Sequence, residues 1–367
     1  MSPNANEGHR TGKIVSAAAV IVLIYGMQAA KVLLVPFLLA VFLALISVRP
    51  MLWMHKQRVP SVLAALLIVV LMLLLLVTLG AIVGSSIAEF TAALPAYQAR
   101  LDVIIDGFIQ VLARYVDDGD SIETLADVID PGWAMGMAAT LLNGLRDVLT
   151  NTFLIMFTLV FMLLEISSFE TKIRAAFGRS SDTFASARAF LTNLGRYLGI
   201  KTMISMATGL AAGLSTWWIG LDFPLLWGML AFLLNYVPTI GSIIAAIPAV
   251  LLALVQLGPG DAALTAAAFL VINVLFGNLL EPRVMGYGVG LSPLVVFIGL
   301  VFWGWVFGPV GMLLSVPLSM TLKLALENDE RTRWLAILIG SERDAGHELA
   351  LRIGRSAGQP PGGAASA

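Results

Sequence analysis

Residues 60–87 read PSVLAALLIVVLMLLLLVTLGAIVGSSI, an apolar stretch without a single charged side chain. About 20 such residues suffice for a helix to cross a bilayer. This run is longer than that, so it must tilt, break or protrude into a soluble layer. Outward from it, further apolar runs fall at 14–30, 32–48, 148–167, 202–220, 223–257, 262–280 and 291–326. The runs 223–257 and 291–326 are also overlong, and Pro238, Pro248, Pro309 and Pro317 favour breaks in them. The pattern predicts an all-α polytopic membrane protein with about eight transmembrane helices, some broken or re-entrant.

Composition agrees. The 367 residues are 59% hydrophobic and 12% charged, with mean hydropathy +0.91, far from the roughly 45–50% apolar and about 25% charged content of soluble domains. Cysteine is absent, which excludes disulfides, thiol catalysis and cysteine-held metals. His9, His55 and His347 all lie in polar stretches, so histidine chemistry inside the membrane is excluded. The segment His9 to Ala30 superficially resembles a signal peptide, but a cleavage site at Ala17–Ala19 would fall at the start of the apolar run, so a retained first span is expected.

Charge divides the chain into regions. Arg49, Lys56 and Arg58 punctuate the first gap, and Lys172, Arg174, Arg179, Arg188, Arg196 and Lys201 dominate 169–201. Basic loops face the cytoplasm. Residues 88–147 carry ten carboxylates against three arginines, and the runs flanking them place them on the other side. The expected organisation is N-terminal membrane helices over 1–87, an external acidic helical insert at 88–147 and a membrane helix at 148–168. A cytoplasmic amphipathic linker at 169–201, a core with broken helices at 202–326 and a cytoplasmic tail at 327–367 follow, the end of that tail disordered. Both termini are then cytoplasmic. Within the linker, Phe184, Ala187, Leu191, Leu194 and Leu198 form one helical stripe. In the insert, Asp117-Asp118-Gly119-Asp120 lacks the spacing of a calcium loop and reads as solvated.

Motifs of catalysis fail on spacing or context. Gly8-x-x-x-Gly12-Lys13 is not a phosphate-binding loop, and Gly286-Tyr287-Gly288-Val289-Gly290 follows a span instead of a strand. Gly258-Pro259-Gly260-Asp261 resembles an intramembrane aspartyl protease element, but the second carboxylate that such chemistry needs is missing from the runs. Asp261 reads instead as the N-cap of a helix beginning at Ala262. No enzyme, metal site, cofactor or nucleic-acid partner is expected.

Polar residues inside apolar runs cost several kcal/mol each unless paired, so they mark function. The stretch Asn235-Tyr236-Val237-Pro238-Thr239-Ile240-Gly241-Ser242 interrupts the sixth run, as a discontinuous helix requires. In the seventh, Asn273, Gly277 and Glu281 step by four, with Asn278 close by, and Pro282 and Arg283 end the helix. Glu281 can pair locally with Arg283. Glu165 ends the fourth run. Trp227-Gly228, Pro238-x-x-Gly241 and Pro248 recur in order as Trp303-Gly304, Pro309-x-Gly311 and Pro317, a weak internal echo of the kind that points to a transporter site. Gly209-x-x-x-Gly213 and Gly304-x-x-x-Gly308 offer close helix contact, and with the overlong runs they predict a homo-oligomer. Trp217-Trp218 marks an interfacial belt.

The ordered set Tyr197-Leu198-x-x-Lys201, Gly220-Leu221-x-x-Pro224-Leu225, Val237-Pro238-x-Ile240-Gly241, Asn278-x-x-x-Pro282-x-x-x-Gly286, Leu291-Ser292-Pro293-Leu294 and Gly308-x-x-Gly311-x-x-x-Ser315-Val316-Pro317 resembles the autoinducer-2 exporter family, the PerM-like permeases. The resemblance covers roughly the whole chain and is densest over 196–326. It implies a bacterial inner-membrane transporter, exporting a small polar signal in some members and exchanging sodium for protons in others. Members often carry Gln near the start of the fifth span, where this chain has Lys201. The expectation is therefore an ATP-independent exporter of a small polar solute. Its path is formed by Asn235, Tyr236, Pro238, Thr239, Gly241, Ser242, Asn273, Asn278, Glu281 and Pro282. The alternatives are a cation/proton antiporter coupled through Glu281 or Glu165, and a channel or scaffold. Membrane lipid surrounds the chain in each case.

Overall fold

A computed structural model of the chain describes residues 4–112, 151–177, 182–238, 240–285, 290–327, 332–341 and 346. The described residues are helical almost throughout, in keeping with an all-α polytopic membrane protein, and their backbone groups are paired within helices as lipid demands. Helices Lys31–Lys56, Pro259–Met285 and the segment Ser61–Thr78 are long and apolar enough to cross a membrane, while Ala18–Ala29, Thr152–Glu165, Pro224–Leu234, Gly241–Gln256 and Pro293–Phe307 are shorter apolar helices. Leu66, Leu71 and Leu74, like Trp217 and Trp218, are exposed large apolar side chains of the kind that lipid covers.

Helices α1 (Asn4–Ala29), α2 (Lys31–Lys56), α3 (Ser61–Leu112) and α4 (Thr152–Phe177) form the first part of the bundle. Ala40, Ala44, Ile68, Leu159 and Leu163 close the contacts among α2, α3 and α4. At 52 residues, α3 would extend about 78 Å, far more than the roughly 30 Å of hydrocarbon. Its second half therefore extends well beyond the apolar segment Ser61–Thr78. The acidic cluster at 117–120, Glu123, Asp130 and the rest of the expected insert beyond 112 lie outside the described residues, as do His347 and the end of the tail.

Helix α5 (Asp182–Ile219) is continuous. The amphipathic linker helix and the fifth span, separated in the sequence reading at 201/202, are thus one element, because nothing between Leu198 and Met203 breaks helix geometry. After a turn with Gly220 at φ 89° and Phe223 at φ 59°, α6 (Pro224–Leu234) runs back along α5. Glycines make this possible: a Cβ on Gly209 would lie 2.7 Å from the Gly228 carbonyl oxygen, and one on Gly228 would lie 2.8 Å from that of Gly209. The Gly209-x-x-x-Gly213 surface is therefore occupied within the chain, and self-association gains no support from it.

The sixth run breaks where Pro238 and Gly241 predict. Helix α7 (Gly241–Gln256) turns back against α6, and the two legs, about 17 and 24 Å long, form a helical hairpin that stops short of a full crossing. Its tip is tight, since a Cβ on Gly241 would lie 1.8 Å from the Leu234 carbonyl oxygen. Helix α8 (Pro259–Ile272) then leads through a π-helical segment, Asn273–Leu280, into the short α9 (Glu281–Met285). Helix α8 begins at Pro259, so Asp261 sits in the first turn, where the helix dipole favours it, and does not cap the helix with its side chain as expected. Helices α10 (Pro293–Phe307), α11 (Pro309–Leu313) and α12 (Ser315–Glu327) make a second hairpin, and α13 (Arg333–Ile339) closes its mouth through Ser292 N–H to the Ile339 carbonyl at 3.1 Å. A Cβ on Gly311 would lie 1.9 Å from the Trp303 carbonyl oxygen. The internal echo in the sequence thus corresponds to two hairpins, each with a glycine pressed onto a carbonyl of its own first leg.

Candidate functional site

One turn of α5 gathers the polar side chains. Lys201, although it stands at the border of a basic segment, is 3% exposed. Its Nζ donates to both carboxylate oxygens of Glu281 at 2.7 Å each. The hydroxyl of Tyr236 donates to Thr202 Oγ1 at 2.7 Å, and Asn235 Nδ2 donates to Ser205 Oγ at 2.9 Å. Residues 201, 202 and 205 thus each meet a partner, two from the hairpin tip and one from the end of the π segment.

The local sequence explains why these groups meet. The buried stripe of α5 continues from Leu194 and Leu198 through Lys201, Ser205, Thr208, Ala212 and Thr216, all buried at helical spacing. Thr208 and Thr216 satisfy their hydroxyls on the carbonyls of Ile204 and Ala212 four residues back. Ser205 and Lys201 instead reach outward to other elements. Asn235 still closes an α-helical turn, its N–H on the Ala231 carbonyl at 3.0 Å, and with Tyr236 just after it faces that turn of α5. Tyr236 is wedged edge-to-face between Phe42 of α2 and Phe232. Its backbone N–H bonds to the Leu233 carbonyl at 3.1 Å, three residues back instead of four, and Gly241 N–H to that of Val237 at 3.3 Å, so these backbone groups stay paired at the tip.

The candidates from the sequence separate into three groups. Asn235, Tyr236 and Glu281 belong to the polar cluster, with Pro238 and Gly241 shaping the tip beside it. Ser242 and Asn273 lie apart, together lining a largely apolar groove of about 400 Å³ between α7 and α8 with Ile243, Ala246, Val250 and Phe269. Within the π segment the Asn273 side chain lies over Gly277, with Oδ1 at 3.0 Å from where a Cβ would be. Asn278 and Pro282 are exposed on the flank, and Thr239 lies outside the described residues. Glu165 is exposed and pairs with Lys172.

Lys201, Thr202 and Ser205 were not among the candidates. By position Lys201 reads as a loop charge and Glu281 has Arg283 as its neighbour; the actual partner is 80 positions away. A signal did exist, because Lys201 and Ser205 extend the very stripe that Leu194 and Leu198 define. A charged residue on the core stripe of an apolar helix asks for a buried partner.

A second network closes the opposite end of α5. Asp222 accepts from the Tyr97 hydroxyl at 3.1 Å and donates its N–H to Gln256 Oε1 at 3.0 Å; Gln256 Nε2 donates to the Gly220 carbonyl at 3.3 Å, and Trp227 Nε1 to that of Asp222 at 2.8 Å. Phe90, 1% exposed, packs edge-to-face on Phe223 and Trp227. The projecting half of α3 is thereby tied to the mouth of the first hairpin. Burial, and then the Asp222 carboxylate to which it donates, hold the Tyr97 hydroxyl above the usual phenol range.

An apolar helical bundle with two hairpins and a buried polar cluster at the tip of one of them is the architecture of a polytopic membrane transporter. The family model described as AI-2E family transporter matches residues 17–330, and the chain belongs to that family. It is 39% identical over 326 residues to AI-2 transport protein TqsA of Escherichia coli K12, covering 89% of this chain and 94% of that one. A Haemophilus influenzae protein is 37% identical over 341 residues, covering 92% and 97% respectively, and YhhT of Escherichia coli K12 is 34% identical over 330 residues, covering 90% and 94%.

Proposed function

We propose that this transporter works without ATP and exports a small polar solute across the bacterial inner membrane, with both termini in the cytoplasm. The observation that carries the reading is the cluster at α5, where Lys201–Glu281, Tyr236–Thr202 and Asn235–Ser205 place three polar pairs in one layer of an otherwise apolar core. Such groups are costly in lipid and persist where they line a route for something polar. Asn235, Tyr236, Thr202 and Ser205 supply neutral donors and acceptors suited to a hydroxylated solute. The hairpin tip shaped by Pro238 and Gly241 supplies a segment that can shift without melting a whole span. TqsA is named for AI-2, so autoinducer-2 is the first solute to test.

The test is counterflow in liposomes containing the purified protein, with autoinducer-2 and a panel of polyols and sugars at equal concentration. Uptake of one of these solutes against its gradient, lost in N235L, supports export through this cluster. Equal uptake by N235L and the unchanged protein at equal reconstitution would remove the path, and no uptake of any solute would remove the reading. Sodium/proton exchange is the second reading; Glu281, the carboxylate it would use, is held by Lys201.

A further inference from the structure

The Lys201–Glu281 pair has a chemistry beyond lining a path. Both carboxylate oxygens are engaged by one ammonium at 2.7 Å, the lysine is 3% exposed, and Glu281 retains partial exposure, with 21% of its side chain accessible. A carboxylate at a helix interruption in a membrane bundle is a site for a cation, and interrupted helices of transporters commonly hold a monovalent ion from solution. Here the cation comes from the chain itself. Its charge is delivered on a continuous helix that is fixed to α6 by backbone-close glycines, so it is not lost to bulk solution even when the pair opens. Thr202 follows it immediately and already engages Tyr236, so hydroxyl oxygens neighbour the lysine in the chain.

We propose that Lys201 is a tethered counter-ion, filling on Glu281 the position that a free sodium or potassium ion would otherwise take, so that this carrier needs no alkali cation from solution. The inference rests on the transporter reading above for its purpose but not for its test, which reads ion binding without transport. The remaining cations nearby do not replace Lys201. Arg283 is exposed on α9, and Arg49 of α2 lies against Gly199, two residues before Lys201 and so on another side of α5.

Purified full-length protein is unfolded thermally in lipid nanodiscs, with tryptophan fluorescence as the signal, in sodium, potassium or choline chloride at one ionic strength. The unchanged protein is expected to melt at the same temperature in all three. K201Q, which keeps a polar side chain of similar reach but removes the charge, is expected to melt lower in choline and to regain roughly 5 °C in saturating sodium or potassium. K201Q/E281Q is expected to lose that response, which locates the ion on the carboxylate. If K201Q does not accumulate, purification in sodium is expected to rescue it where choline does not. Saturable stabilisation of the unchanged protein by sodium or potassium would overturn the proposal. So would a K201Q protein indifferent to alkali cations, a response that survives E281Q, or a K201Q protein that no cation rescues. Failure of counterflow leaves these melting outcomes unaffected, so the two readings fail separately.

Discussion

Removing one member of the Lys201–Glu281 pair should cost far more than removing both. Two charges in a low-dielectric layer are tolerable together because each screens the other, and breaking a buried pair typically costs about 3–5 kcal/mol, whereas well-packed apolar replacements of both can be neutral or stabilising. The asymmetry of burial refines this estimate. E281L leaves an ammonium with 4% of its side chain exposed and no water to turn to, so it belongs at the upper end, about 4–5 kcal/mol. K201M leaves a carboxylate with 21% exposure, which retains some hydration, so about 3 kcal/mol is expected. The double variant K201M/E281L should return to within about 1 kcal/mol of the unchanged protein, giving a coupling of about 6–8 kcal/mol if each single loss is fully expressed.

The assay is reversible denaturant unfolding in mild detergent, without sodium or potassium, followed by tryptophan fluorescence and by circular dichroism to test for a single transition. Counterflow on the same preparations separates structure from function: K201M/E281L should be stable and transport poorly, because the layer keeps Tyr236–Thr202 and Asn235–Ser205 but loses its charged pair. Single variants as stable as the unchanged protein would refute the burial argument. A stable double variant that transports at the full rate would instead show that the pair is not part of the route.

Gly241→Ala and Gly311→Ala should each destabilise by several kcal/mol, because the new methyl would sit 1.8 and 1.9 Å from carbonyl oxygens that cannot move without opening the hairpin. Gly260→Ala, with nothing within 4 Å, should instead gain about 0.4–1 kcal/mol; melting temperatures of the three rank the effects, and equal values would dismiss the tip geometry. Tyr97→Phe removes one hydrogen bond to Asp222, worth about 1 kcal/mol, and should raise amide exchange in 88–112 and 224–234 together. Exchange that rises in only one of these segments would mean that the α3 arm and the hairpin mouth are not coupled there. A cysteine placed at Ser121 of this cysteine-free chain should react with an impermeant maleimide from outside the cell; labelling from the cytoplasmic side alone would reverse the topology.

Much of this architecture is written locally in the sequence. Apolar runs set the helices, and Pro238 with Gly241 set the break, because a missing donor and a missing Cβ act within a few residues of where they stand. The polar cluster was half legible for the same reason. Asn235, Tyr236 and Glu281 declare themselves as polar residues in apolar surroundings, but their partners are chosen by packing, and a pairing across 80 positions leaves no trace in spacing. Arg283 was the nearest cation to Glu281 along the chain and still not its partner. Lys201 was obscured by its position, since a basic residue at the edge of an apolar run counts equally well as a loop charge. The π segment leaves no mark, because Asn273–Leu280 has the composition of an ordinary helix. Gly209 and Gly213 gave the right chemistry, close helix approach, and the wrong partner, since Gly228 of the same chain takes that surface.

These contacts also rank the joints of the core by how readily they part. Helices α5 and α6 meet backbone to backbone, where 2.7–2.8 Å clearances for a hypothetical Cβ leave no room to slide, and every displacement along that seam brings a glycine against a residue with a side chain. The first hairpin and the α3 arm are bound to the mouth of this unit by four hydrogen bonds and a ring of aromatic edges. The junction between α5 and the end of the π segment differs in kind. It is held by long side chains, Lys201 and Glu281, whose attraction falls smoothly with distance and whose partners can be replaced by water or solute as the gap opens. Of these joints the ion pair is the one whose opening costs least. Hydration of the two charges offsets part of the cost of separating them there, whereas parting the glycine seam would expose only apolar surface with nothing gained in return.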